Sequence, residues 1–287
     1  MTSHWPSPWA PVGSDAGPER RGRFDLDFMR HGPRTVIGRQ HVSYPFHLTR
    51  PFNLDSAIPE LLTVYQQSAS GGLYRADELS CRYHLGAGAA AHVTTQAATV
   101  VHDCHGRPAR QTIDVTLEND AFLALAPDPL VLFPGAAVTS VLEARLAPEA
   151  VLMLADTFAL HDPQAQGRPF DQLNSAISIH DDEDRLLVRD CFRIQGSDLV
   201  GAASPVGQWH IVSNFLLLGP SARLPGRETL TGLDPGAVLG VSPLAHGAGW
   251  GLRCLAADAV SARRVAEMLF SACVLAAFGQ APARRRK

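Results

Sequence analysis

Short runs of alternating apolar and polar residues recur along the chain, and a tight polar corner follows each of them. Three such runs, at 79–85, 112–117 and 138–146, end on the leucine of a Leu-x-x-x-Ala pattern, and a second alternating run begins directly after it. Alternation with a period of two is typical of a strand that is buried on one face. A fourth copy of the pattern lies at 233–237. The chain therefore repeats a strand, corner, strand unit about every 30 residues.

This repeating unit predicts a mostly β fold. A single unit buries only one of its faces, so neighbouring units must stack to complete a core. The corners hold Gly, Pro, Asn and Asp, which are the residues that tight turns require. We therefore predict a stacked, solenoid-like (β-helical) body built from sheets of short strands.

The two ends of the chain differ from this body. Residues 1–32 are rich in Pro, Gly and clustered charges, which predicts a flexible leader before a β-stack body at 33–255. Residues 256–280 carry apolar side chains at helical spacing and end beside Gly279, so we predict a C-terminal helix that packs on the sheet or on a partner. Residues 281–287 form a basic tail.

Composition excludes several classes of protein. The chain has 287 residues, 46% hydrophobic and 18% charged, with a net charge of −3. This apolar content is too high for a disordered chain, and the near-neutral charge argues against a nucleic-acid binder, which needs many cations facing phosphates. No apolar run reaches the roughly 18 residues of a membrane span, so we expect no membrane partner. Lys287 is the only lysine, which excludes an internal Schiff-base or P-loop lysine.

The cysteines predict the compartment. They are odd in number, widely spaced and without a CxxC pair: Cys81, Cys104, Cys191, Cys254 and Cys273. This pattern favours reduced, mostly buried thiols over a disulfide framework, and we therefore predict a cytoplasmic protein.

Glycine spacing at 86–91, GAGAAA, imitates a dinucleotide-binding fingerprint. That fingerprint needs a helix directly after it, so that the helix N-terminus faces the pyrophosphate. The residues that follow, HVTT, favour a strand instead, and we interpret the glycines as a corner. No GxSxG, HExxH or Walker A pattern occurs in the chain. Nothing in these residues requires an enzyme.

One segment concentrates side chains that bind metals. His102, Cys104 and His105 lie within the run HDCH at 102–105. In an extended strand His102 and Cys104 share one face and His105 lies on the other, so the segment cannot close a four-ligand zinc site by itself. Two interpretations remain: a transient site for Ni, Cu or Zn, or a polar loop, which we favour.

Three further segments resemble the UreD (UreH) family of urease accessory proteins in residues, order and spacing. They are SGGLYRADEL at 70–79, HVTTQAAT at 92–99 and PDPLVLFPGA at 127–136. The family's motif positions in them include Gly71, Gly72, Pro127 and Phe133. The run RTVIGR at 34–39 and the final helix also agree, so the resemblance extends over roughly 34–282.

The resemblance implies a mostly β, helical stack of strands and a role without catalysis. Members of the family act as scaffolds that bind an F-type accessory protein, through it a G-type GTPase, and apo-urease, and together these deliver Ni²⁺ to urease. An internal polar passage is one proposed route. By resemblance Asp77, Thr94 and Thr95 would guide the ion through contacts weak enough to release it. The resemblance implies transient Ni²⁺ rather than a tightly bound cofactor, and it leaves open a homodimeric arrangement within the complex.

The chain departs from the family pattern at several positions. It has Ala76 where the family usually has Gly, Gln96 where Pro is usual and Arg168 where Glu is usual. Because a guanidinium would repel a passing cation, the alternative is a divergent UreD-like β-scaffold that serves another assembly without metal transfer. On the nickel interpretation, we expect Asp77→Ala to lower the nickel loading of urease while the complex still assembles.

Overall fold

A computed structural model describes residues 19–201, 204–231 and 234–284. Its strands, in chain order, are β1 (Arg20–His31), β2 (Arg34–Val42), β3 (Phe46–Leu48), β4 (Leu61–Ser68), β5 (Asp77–Leu85), β6 (Ala90–Thr95), β7 (Thr99–Val101), β8 (Ala109–Leu117), β9 (Phe122–Leu125), β10 (Leu130–Leu132), β11 (Ala137–Leu146), β12 (Val151–Leu160), β13 (Gln172–Asp181), β14 (Leu186–Gln195), β15 (Ile211–Leu218), β16 (Ala237–Pro243) and β17 (Gly249–Ala256). One α-helix, α1 (Ala259–Phe278), follows them. Short 3₁₀ helices lie at Gly196–Leu199, Ser221–Arg223, Arg227–Leu230 and Ala245–Gly247.

Two sheets face each other across the core. Sheet A has seven strands in the order β14-β13-β11-β8-β5-β1-β2, and sheet B includes the path β16-β17-β15-β12-β9-β6-β4-β3. The strands β1, β5, β8, β11 and β13 pair in parallel within sheet A, as β4, β6, β9 and β12 do within sheet B. The short strands β7 and β10 pair in parallel with each other, and β10 also pairs in parallel with β12 of sheet B. Successive coils of the chain therefore stack into a β-solenoid of about four turns, which confirms the predicted fold class.

The corners between the sheets fall where the Leu-x-x-x-Ala pattern predicts them. Residues 86–89, 118–121 and 147–150 connect β5 to β6, β8 to β9 and β11 to β12. Each corner ends on a buried alanine whose N–H donates to the carbonyl three residues before it: Ala89, Ala121 and Ala150. The glycines at 86–91 thus belong to a corner that a strand follows, as predicted. The copy at 233–237 differs, since β16 after it pairs antiparallel with β17 and its first residue lies outside the described part of the chain.

The prediction of a flexible leader at 1–32 is wrong for its second half. Strand β1 pairs in parallel with β5 and antiparallel with β2. Phe24, Leu26 and Phe28 point into the core and are fully buried, and Asp25 and Asp27 lie on the opposite face of the strand, where Asp25 is buried and Asp27 is partly exposed. The clustered charges therefore lie on the outer face of sheet A. The β-stack body begins near residue 20 rather than at 33. Residues 1–18 lie outside the described residues.

Helix α1 covers the outer face of sheet B, within the range predicted for it. Asp258 caps its N-terminus by accepting a hydrogen bond from the Ser261 N–H at 2.8 Å, and Gly279 ends it with a φ of 70°. The face that packs on sheet B buries the following side chains: Val265, Leu269, Phe270, Cys273 and Val274. Val260 and Leu275, although part of the apolar pattern, are exposed. The end of the predicted basic tail, 285–287, lies outside the described residues.

Two further expectations concern the whole chain. Within the described residues, no helix combines the length and the apolar character that crossing a membrane would take. All five cysteines are unpaired, and four of them are buried while Cys191 is exposed.

Candidate functional site

A layer of polar side chains crosses the otherwise apolar interior of the solenoid. Its members line one cavity between the sheets: Gln111, Ser140 and Ser175 from sheet A, and Gln66, Thr95 and Asp156 from sheet B. The three sheet A residues are direct register partners on β8, β11 and β13, and Gln66 pairs with Thr95 across β4 and β6. Because parallel strands in register place equivalent positions side by side, the polar positions of successive coils form one continuous layer.

The enclosed cavity has a volume of about 100 Å³ and lies between two larger spaces. On one side it adjoins a surface pocket of about 600 Å³, with which it shares Gln66, Thr95 and Gln111 as walls. On the other side it adjoins a groove of about 340 Å³ beneath α1, and Thr94 and Asp128 line both. The three spaces follow one another from the surface, through the interior, to the helix.

Asp156 places a carboxylate in the wall of the enclosed cavity. Ser175 Oγ donates a hydrogen bond to Asp156 Oδ2 at 2.7 Å. Burial raises the pKa of Asp156 and the charge of Asp190 adds to this, while Ser175 and Arg253 act in the opposite direction. Arg253 itself donates to both carboxylate oxygens of Asp190, at 2.8 and 2.9 Å. The cavity therefore contains an acid that a neighbouring cation would stabilise in its charged form.

Thr94 and Thr95 lie at the two sides of this cavity. Thr95 also lines the surface pocket, and Thr94 also lines the groove beneath α1. The Asp128 N–H donates to Thr95 Oγ1 at 2.8 Å, and Thr94 Oγ1 donates to the Ala126 carbonyl at 2.7 Å. These bonds hold both hydroxyls at the edges of the polar layer, and their effect on an ion stays a prediction.

Asp77, in contrast, is absent from the walls of these three spaces, and its expected role in guiding a cation stays a prediction. Arg20 donates to both of its carboxylate oxygens, from Nε at 2.9 Å and from Nη2, and the Tyr74 N–H donates to Oδ2 at 2.7 Å. Burial lowers the pKa of Arg20, but the hydrogen bond and charge of Asp77 outweigh it, so that the pKa is raised. A carboxylate already neutralised by a guanidinium has no free charge for a passing ion. Asp77 instead joins the start of β1 to the start of β5.

Gly72 serves the same junction. A Cβ at this position, whose φ is 138°, would lie 2.1 Å from the Val100 carbonyl oxygen, so only glycine fits. Arg20 Nη2 donates to the Gly72 carbonyl at 3.0 Å. Ala76, where the family usually has glycine, has a φ of 54°, in the left-handed region that glycine adopts with less strain. The motif around Asp77 is therefore a packing requirement.

The structure does not assemble His102, Cys104 and His105 into a metal site. Cys104 is buried, its Sγ donates to two backbone carbonyls at 3.2 and 3.3 Å, and burial raises the pKa of its thiol. His102 Nε2 lies 3.0 Å from the Gly71 carbonyl oxygen. His105 is exposed beside Asp103. Across the part of the chain that is described, no group of three or more His, Cys, Asp or Glu side chains is placed to hold a metal. The metal-site interpretation is wrong, and the segment is a polar loop.

The two other motif residues have different surroundings. Pro127 lines both the enclosed cavity and the groove beneath α1. Phe133 packs against the rings of His102 and His161, with centroid distances of 5.8 and 5.4 Å. Pro127 therefore forms part of the wall of two of the cavities, while Phe133 packs against aromatic rings of neighbouring coils.

The remaining departures from the family pattern also differ in position. Gln96 lines both the surface pocket and the groove, and it accepts a hydrogen bond from Gln67. Arg168 lies in an exposed loop, donates to Gln164 Oε1 at 2.9 Å and is absent from the walls of the three spaces. The expected repulsion between Arg168 and a passing cation stays a prediction, and Arg168 does not line these cavities.

Sequence reasoning missed most of the polar layer: Gln66, Gln111, Ser140, Asp156 and Ser175. Each takes an inward position of an alternating run, where an apolar residue is expected. In β11, for example, Ser140 follows the buried Val138 and precedes the buried Leu142. The signal that could have predicted this layer is the single inward-facing polar residue in each repeat. Repeats that stack in register bring such residues side by side in the interior.

Comparison with known proteins decides the family. The model of the family described as UreD urease accessory protein matches residues 20–287. The chain belongs to this family. It is 45% identical over 285 residues to Urease accessory protein UreD 1 of Methylorubrum extorquens (strain PA1), covering 98% of this chain and 94% of that protein. It is 45% identical over 264 residues to UreD 1 of Bradyrhizobium sp. (strain BTAi1 / ATCC BAA-1182), covering 91% and 93%.

More distant members of the family agree. Urease accessory protein UreD 1 of Pseudomonas syringae pv. syringae (strain B728a) is 35% identical over 260 residues, which cover 88% of this chain and 90% of that protein. These relatives are named as accessory proteins rather than enzymes. The chain is accordingly an accessory protein with a role in urease maturation.

Proposed function

We propose that the chain is a scaffold for nickel insertion, which joins apo-urease to an F-type accessory protein and a G-type GTPase, and that Ni²⁺ crosses it through the three spaces. The polar layer around the enclosed cavity is the observation that supports this proposal. Its hydroxyl and amide oxygens and the carboxylates of Asp156 and Asp128 face a space inside an apolar solenoid. Such oxygens bind a borderline cation weakly, so the ion can leave again.

Helix α1 and its flanks are our candidate for the contact with a partner protein. Val260 and Leu275 expose apolar side chains there, and burying such residues is a common source of association energy. We place the assembly in the cytoplasm, where unpaired thiols such as the exposed Cys191 stay reduced. The mass of the assembled complex tests whether it contains two copies of this chain.

A cavity-filling variant tests the passage. Ser140→Leu adds about two heavy atoms to the wall of the enclosed cavity, and Ser80→Leu makes the same change on β5, outside the enclosed cavity. Each variant is co-expressed with apo-urease and the F- and G-type proteins, and the nickel content of the purified urease is measured at limiting nickel. Co-purification of the partners reports whether the complex assembles.

We expect Ser140→Leu to lower the nickel content of urease at least tenfold while the complex still assembles. Ser80→Leu should load urease like the wild type. Equal loading by the two variants, with assembly intact, would refute the passage and favour the alternative, a UreD-like β-scaffold without metal transfer. Failure of the wild-type chain to capture any of these partners would refute the scaffold role itself.

A further inference from the structure

Charged side chains on the outer face of sheet A lie in ordered rows. The strands β1, β5 and β8 pair in parallel and in register, so their equivalent outward positions lie side by side. On each strand, the first outward residue and the residue four positions later have charges of opposite sign, and the order of the signs alternates between neighbouring strands. From β5 to β11 the row between these charges is uncharged, and it includes Thr112 and Val141. The three charge pairs are Arg21 and Asp25, Glu78 and Arg82, and Arg110 and Asp114.

The pair on β8 has no ionic partner within the chain. Among the described residues, Glu78 and Arg82 each take part in an ion pair, whereas Arg110 and Asp114 take part in none. Asp114 also has Glu143 beside it, as its register partner on β11. Partial desolvation raises the pKa of Asp114, the charge of Glu143 raises it further, and Arg82 offsets this only in part. A cation placed over these two carboxylates would therefore stabilise them.

This face of the sheet is open. In the described part of the chain α1 packs on sheet B, while on sheet A the side chains of Glu78 and Arg82 are 49% and 43% exposed. A mostly parallel sheet ordinarily has both faces covered. With seven strands about 4.8 Å apart, and nine residues of about 3.3 Å each in β5 and β8, the face measures roughly 34 by 30 Å. This area of about 1,000 Å² is comparable with the roughly 800 Å² that each partner contributes to a standard interface.

We propose that the outer face of sheet A is a contact between two copies of this chain, related by a two-fold axis that runs across the strands at the level of Thr112. Such an axis places the strands of the second copy antiparallel to those of the first. Arg110 then faces Asp114 of the second copy, and Asp114 faces Arg110 of the second copy. Glu78 and Arg82 meet in the same reciprocal way, and Thr112 meets its own counterpart. The surface is thus complementary to itself, as a two-fold contact requires. This inference goes beyond the proposed function and is independent of the route that nickel takes.

The twist of the sheets centres this contact on β5, β8 and β11. Two packed sheets cross at about 30°, so their edge strands diverge. The divergence separates Arg189 and Arg193 on β14, which would otherwise face like charges of the second copy. The pair on β1 adds little, because Asp25 is buried and already paired with Arg23. We therefore expect a dimer that forms at micromolar concentrations and dissociates as salt screens its charges.

Charge exchange on β8 tests the contact. Arg110→Asp places carboxylates opposite each other in the dimer, and Asp114→Arg places guanidiniums opposite each other. The double variant restores opposite charges, and so does an equimolar mixture of the two single variants. Arg263→Asp, on the exposed side of α1, is the control. Sedimentation of the full-length chain at tens of micromolar, in low and in high salt, measures the mass.

We expect the wild type and Arg263→Asp to sediment as dimers in low salt, and each single β8 variant to bind itself at least tenfold more weakly. The double variant should dimerise like the wild type. The mixture should form a heterodimer although neither component dimerises alone, a gain that misfolding cannot produce.

A monomeric wild type, or wild-type dimerisation by either single β8 variant, would overturn the proposal. Loss of the dimer in Arg263→Asp alone would also overturn it and would place the contact at α1. If the wild type is monomeric and the β8 variants no longer co-purify with apo-urease or the F-type protein, one of those proteins covers this face and the two-copy contact is wrong.

Discussion

The buried pair of Arg20 and Asp77 predicts that Asp77→Ala acts through stability. The Asp77 side chain is 2% exposed and that of Arg20 is 16% exposed, so water cannot replace the missing carboxylate. The variant loses both hydrogen bonds from Arg20 and the bond from the Tyr74 N–H. Removing one partner of a buried ion pair costs about 3–5 kcal/mol. This is a large share of the roughly 5–15 kcal/mol that stabilises a typical domain.

Urea denaturation of four proteins checks this value: the wild type, Asp77→Ala, Arg20→Met and the double variant. We expect Asp77→Ala to lower the free energy of unfolding by about 3–5 kcal/mol. The double variant should lose less than the sum of the single variants, because it leaves no unpaired charge behind. An unchanged free energy of unfolding in Asp77→Ala, together with reduced nickel loading of urease, would refute the reasoning. That result would favour a role for Asp77 in guiding the ion.

Two further predictions concern single positions. Ala76→Gly should raise the free energy of unfolding by about 0.5–1 kcal/mol, because glycine relieves the left-handed φ of 54° at some cost in chain entropy. Ala89→Gly, in a corner without a positive φ, should lower it, and a loss in both variants would contradict the argument. The raised pKa of Asp156 means that the folded state holds a proton above pH about 4, where the unfolded chain has released it. Stability should therefore fall as the pH rises from about 4 through the raised pKa, and Asp156→Asn should be more stable at neutral pH with that slope removed. Urea midpoints measured across this pH range check the slope, and identical profiles for wild type and variant would contradict it.

Much of the fold could be predicted from local patterns. Alternation with a period of two and the Leu-x-x-x-Ala corners predicted the strands that flank 86–89, 118–121 and 147–150. The same pattern was present in β1, where Phe24 and Phe28 alternate with charges, but the surrounding Pro and Gly led to the prediction of a leader. Local sequence did not show that a strand so close to the N-terminus pairs with β5.

The candidate site could be predicted only in part. Thr94, Thr95 and Pro127 were chosen from motifs by resemblance, and they do line the cavities. Asp77 was chosen on the same basis, yet its charge is neutralised. Asp156 belongs to no motif that the sequence shows. The resemblance therefore located the region of the site but could not tell a free carboxylate from a paired one.

By itself, the sequence determined the period of the coils, the position of their corners and the family, because strand alternation and turn chemistry act over a few residues. Only the tertiary structure decided which charges are compensated. Arg20 meets Asp77 across 57 residues of chain, and Arg253 meets Asp190 across 63. Electrostatic energy depends on distance in space and on burial, so the role of each carboxylate is settled when the coils stack in register and the strands from both ends of the chain pack beside them.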